Sequence, residues 1–75
     1  MNVTYHNENV LTRHSFTVNH EGISYEVEIF VDERGKFSDD SVMLNDVELE
    51  GEGEEGDIRE SIISHLAENW ETIVK

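Results

Sequence analysis

Between Ile23 and Val31 every second residue is apolar: Ile23, Tyr25, Val27, Ile29 and Val31. Successive side chains of a strand point to opposite faces, so this alternation predicts a strand with one face in a core and Ser24, Glu26 and Glu28 on the other. Phe30 breaks the polar phase, which makes it a candidate apolar anchor on an otherwise hydrophilic face. A single strand cannot bury its own apolar face, so the rest of the chain must supply partner strands and a cover.

The cover is legible near the C-terminal end. Ile58, Ile62, Leu66 and Trp70 recur every four residues, with Ile63, Ala67, Ile73 and Val74 beside them. Asp57 stands in the position of an N-cap and Glu60 three residues later completes a capping box. This pattern predicts an amphipathic helix from residue 58 to about 73, roughly 24 Å long at 1.5 Å per residue. Trp70 extends the stripe and is expected to anchor the helix end in the core.

The partner strands are less distinct. Val10 to Val18 places His14, Phe16 and Val18 on one face, and Asn19-His20-Glu21-Gly22 reads as a hairpin loop into the next strand. Asp32-Glu33-Arg34-Gly35 reads as a turn, with a short extension from Lys36 to Ser38. In residues 41–50, Val42 and Leu44 lie in one phase and Val47 and Leu49 in the other, so Asn45-Asp46 must be a two-residue hairpin or a bulge; a third strand carrying a bulge is the expectation. The predicted fold is therefore α+β, a small single domain over residues 1–75. It has a three-stranded, mostly antiparallel sheet packed by one C-terminal helix, in the order β-β-β-α. Residues 1–9 are expected to be disordered, and 51–56 to form a flexible acidic loop.

At 75 residues the chain buries only roughly 60 % of the surface it exposes when unfolded, and without cysteine no disulfide or thiolate zinc site reinforces it. No apolar run reaches the roughly 20 residues that span a bilayer, and Met-Asn-Val-Thr-Tyr-His-Asn-Glu lacks the features of a signal peptide. The expected setting is soluble and cytoplasmic, where the acceptor pattern Asn2-Val3-Thr4 has no meaning.

Charge restricts function further. Eighteen acids against five Lys and Arg give a net −13, which opposes binding to nucleic acid or an anionic membrane and favours a cationic partner. The charge is polarised: residues 1–25 hold Glu8 and Glu21 against Arg13, whereas residues 39–60 hold ten acids against Arg59. From Asp46 to Glu54 a carboxylate occupies every second position. In a strand such residues lie ~6.6 Å apart on one face, close to alternate phosphate steps of a nucleic-acid strand at ~3.4 Å each. The candidate partner-binding residues are Glu26, Glu28, Phe30, Asp39, Asp40, Asp46, Glu48, Glu50, Glu52 and Glu54, with Glu26, Glu28, Glu48 and Glu50 as a strand-held face. The expected function is binding to a basic surface of a nucleic-acid-binding protein, as an inhibitor or modulator acting by nucleic-acid mimicry. In type, though in no motif, such a chain is similar to small acidic phage-encoded antagonists of nucleases, restriction systems and transcription proteins.

Other chemistries fit less well. Read from Asp46, the acids Glu48, Glu50, Glu54 and Asp57 with Gly51 approximate a calcium-loop template, but Glu replaces shorter ligands and a strand precedes the loop. His6, His14, His20 and His65 show no ligand spacing, so no metal or cofactor is expected. There is no nucleophile elbow or phosphate-cradling loop, and the chain is not expected to be an enzyme. The alternatives are an adaptor or assembly module with mainly hydrophobic contacts, and a generally acidic protein of halophile type.

Overall fold

The computed structural model describes residues 1–6 and 13–74. Five strands, β1 (Asn2–His6), β2 (Arg13–His20), β3 (Ile23–Val31), β4 (Phe37–Leu44) and β5 (Val47–Glu48), form one antiparallel sheet in the order of the chain. Helix α1 (Gly53–Glu68) and the short α2 (Trp70–Ile73) follow.

The turns explain the simple order. Glu21 and Gly22 both take positive φ, 54° and 81°, as a two-residue hairpin of right-twisting strands demands. Asn45 and Asp46, at 53° and 66°, repeat the arrangement between β4 and β5. The phase shift read at this point is thus a hairpin and not a bulge within one strand: Val42 before the turn and Leu49 after it both reach the core, while Val47 beside the turn stays exposed. At the β3–β4 turn the Asp32 carboxylate accepts from the amides of Arg34 and Lys36, both at 2.9 Å. A register shift between Phe30 and Val31 marks a bulge beside it.

The sheet has five strands where three were expected. β1 has only Val3 and Tyr5 as apolar positions, too short an alternation to predict a strand; it occupies part of the segment expected to be disordered, whose positions 7–9 lie outside the described residues. Positions 10–12 of the first predicted strand also lie outside them. The expected third strand is divided by the hairpin into β4 and β5, and β4 starts earlier than expected, at Phe37, running through Asp39 and Asp40, residues of low strand propensity.

The alternation of β3 is realised as read, with Tyr25, Val27 and Ile29 buried, although Ile23 at the strand end is exposed. They form a single core with Phe16, Val18, Val42, Leu49, Ile62 and Leu66. The helix begins at Gly53, five residues earlier than predicted, so most of the supposed acidic loop is its first turn. Glu52 takes the N-cap position, and Asp57 lies inside the helix. The Glu55 carboxylate accepts from the Glu50 amide at 3.2 Å and so ties the first turn of the helix to the chain that enters it. Glu54 and Glu55 also place negative charge at the positive end of the helix dipole.

At Asn69 the helix breaks. Its side-chain Nδ2 and its backbone amide both donate to the His65 carbonyl, at 2.9 and 3.1 Å, and α2 starts one residue later. The break sets Trp70 among His14, Phe16 and Phe37, with ring centroids 5.0–5.6 Å away. Trp70 is the core anchor its place in the stripe implied.

Candidate interaction surface

Both helices cover one face of the sheet, and the other face is open. Cross-strand register aligns the open face in rows: Thr4, Thr17, Glu26, Met43 and Glu48 form one, His6, Ser15, Glu28 and Ser41 a second, and Arg13, Phe30 and Asp39 a third. Strand spacing puts Glu26 and Glu48 ~9.6 Å apart across β4, and Glu26 and Glu28 ~6.6 Å apart along β3.

Hydroxyl groups hold two of these carboxylates. Ser41 Oγ donates to Glu48 Oε1 at 2.9 Å. Thr17 Oγ1 donates to Glu26 at 3.3 Å and lies 2.6 Å from His6 Nε2, so three strands share one polar chain in which the His6 ring donates to Thr17 as Thr17 donates to Glu26. Glu28 stands 3.7 Å from Arg13 Nε. Hydrogen-bonded carboxylates lose less conformational entropy when a cation docks, which favours binding.

The predicted site residues separate into four places. Glu26, Glu28, Phe30, Asp39 and Glu48 share the open face; Phe30 there is half-buried, opposite Arg13 and Asp39. Asp46 sits in the β4–β5 turn. Glu50, Glu52 and Glu54 line the exposed entry to α1, beyond the strand, so the regular carboxylate row bends at Gly51 and does not continue as a straight ruler. Asp40 points the other way, toward the helix, where Arg59 pairs with it. Ser41, Thr17 and His6, which orient the acids, were not legible as such in the sequence; only the register reveals them.

Two hollows with apolar walls lie on the helix side. One of about 580 Å³ opens between the β3–β4 turn and the C-terminal helices, with Phe37 and Trp70 in its wall. Another, of about 380 Å³, is lined by Tyr25, Leu44, Val47, Leu49 and Ile58, with Val47 itself 66 % exposed. Among the described residues no cluster of three or more His, Asp or Glu side chains is arranged to hold a metal ion, and no helix is long and apolar enough to cross a membrane. No family model, curated protein or solved structure matches this chain.

Proposed function

We propose that this chain is a small, non-enzymatic binding protein of the cytoplasm whose open sheet face engages a basic surface of a nucleic-acid-binding protein and blocks it by imitating phosphate charge. The observation that carries this is the row Thr17–Glu26–Met43–Glu48, in which two carboxylates are held by hydroxyls on a face that no helix covers. Charge polarity supports it, since the exposed acids Asp46, Glu48, Glu50, Glu52, Glu54, Glu55 and Asp57 gather at the adjoining corner. That corner supplies a long-range field for encounter, and the ordered face supplies the contact.

Two variant sets test this: Glu26, Glu28 and Glu48 to Gln on the face, and Glu50, Glu52 and Glu54 to Gln at the corner. Basic nucleic-acid-binding proteins are captured on the immobilised chain and displaced with duplex DNA. The face set is expected to abolish DNA-competable capture, and the corner set to slow association while retaining it. Capture by the face set equal to that of the unaltered chain sinks the proposal.

A second reading rests on Val47. Its exposure beside the hollow of Tyr25, Leu44, Leu49 and Ile58 is the arrangement of an adaptor that binds through apolar contact. Binding that survives high salt but fails in Val47→Asp favours that role.

A further inference from the structure

The two edges of the sheet are not treated alike. On one side β5 is only two residues long, is followed by Gly51 and the acidic entry to α1, and has Asp46 and Glu48 on it. Arg59 occupies the Asp40 carbonyl of β4 at 3.1 Å, so even the part of β4 beyond β5 is partly closed. Short length, charge and capping are the usual protections of an edge against strand addition.

The opposite edge, β1, shows none of them among the described residues. Asn2-Val3-Thr4-Tyr5-His6 contains no carboxylate, lysine, arginine or proline, and it pairs with β2 alone among the described strands. Its outer backbone groups alternate along the edge as a template for another strand. The neutral region extends inward, because β1 and β2 together carry no acid and include Arg13, His6, His14 and His20.

We propose that β1 is the interface through which two copies of this chain pair, antiparallel, into one continuous ten-stranded sheet with a two-fold axis at Thr4. The occupant is a second copy because the strand complements itself. With the axis at Thr4, Asn2 faces His6 of the second copy, Thr4 faces Thr4, and Val3 faces Tyr5 on the helix side, where both already pack against the core. An aromatic opposite a β-branched residue is a favourable cross-strand pair. Charge permits this edge and not the other: β5 lies ~19 Å from β1, so the acidic corners of the two copies end up at the far ends of the sheet, ~43 Å apart and many Debye lengths of ~8 Å at physiological salt. Strand pairing alone buries little area, so the dimer is weak and concentration-dependent.

Because the chain has no cysteine, the register is directly testable. Opposed residues of an antiparallel pair have Cα atoms about 4.5 or 5.5 Å apart, both within disulfide reach. Under mild oxidation Thr4→Cys is expected to form a covalent dimer at least about tenfold faster than Asn2→Cys, His6→Cys or the helix control Ser61→Cys. Sedimentation of the unaltered chain from micromolar to millimolar concentration should show a monomer–dimer equilibrium. Thr4→Lys, which sets two like charges on the axis, should weaken it by about tenfold or more while leaving the monomer's melting transition in place. A chain that stays monomeric at millimolar concentration overturns the proposal, and so does equal cross-linking at Asn2, Thr4 and His6.

Discussion

Arg59 of α1 reaches down to Asp40 of β4, where its Nη2 donates both to the carboxylate and to the Asp40 backbone carbonyl. The two side chains are 30 % and 24 % exposed, so water screens the pair less than a surface ion pair. It ties the helix to the part of the sheet that β5 leaves uncovered, and it withdraws one acid and one base from the chain's outer field. Arg59→Ala and Asp40→Asn are each expected to cost about 1–2 kcal/mol, with a coupling of about 1 kcal/mol in the double-mutant cycle. Urea unfolding of the three variants measures it, and additive single effects contradict the pairing.

Gly56 gives a prediction of unusual sign. Replacing glycine by alanine inside a helix ordinarily gains about 1 kcal/mol. Here an added Cβ would lie 2.7 Å from the backbone carbon and oxygen of Gly51, with no flexible side chain to yield. Gly56→Ala should therefore destabilise, by about 1–3 kcal/mol, whereas Ser61→Ala on the exposed helix surface should be neutral or slightly stabilising. Thermal melts of the two variants decide it. A raised midpoint for Gly56→Ala would mean the entry to α1 can open without cost.

Trp70 is the only tryptophan in the chain and joins β2, β4 and the helices through ring contacts with His14, Phe16 and Phe37. Truncation to alanine should cost about 3 kcal/mol or more, a large share of what a domain of this size possesses. Trp70→Phe keeps part of the cluster and should cost less. Far-ultraviolet circular dichroism in urea, which does not depend on the indole, should show a cooperative transition for the phenylalanine variant and little or none for the alanine variant.

What could be read in advance follows how far each signal reaches along the chain. The β3 alternation and the Ile58–Ile62–Leu66–Trp70 stripe are long and local, and both appear as read, with Asn69 adding only the break that re-aims Trp70. β1 is short, and Asp39-Asp40 resists strand assignment, so only pairing with neighbours made them strands. The hairpin at Asn45-Asp46 and a bulge give the same apolar pattern, and backbone φ alone separates them. For the candidate face, parity along β3 placed Glu26 and Glu28 correctly together, but it could not show that Asp40 turns inward to Arg59 or that Ser41 and Thr17 orient Glu48 and Glu26. Those are cross-strand facts, invisible until register is known.

The net charge of −13 makes a last prediction about stability rather than binding. Most of the acids between Asp46 and Asp57 are exposed and crowd one corner, where Arg59, the base nearest in sequence, is already engaged with Asp40. Their repulsion is stronger in the folded state, which holds them close, so screening should stabilise the fold. The Debye length falls from ~10 Å at 0.1 M to ~3 Å at 1 M, so the gain should arrive early and then level off. A gain of about 1 kcal/mol corresponds to a rise of about 4–8 °C in Tm for a domain of this length. Changing Asp46 to Asn and Glu50, Glu52 and Glu54 to Gln should raise Tm in low salt and flatten the response. A Tm that keeps climbing into molar NaCl would instead indicate general adaptation to brine, and a Tm indifferent to salt would show that the corner carries no strain to relieve.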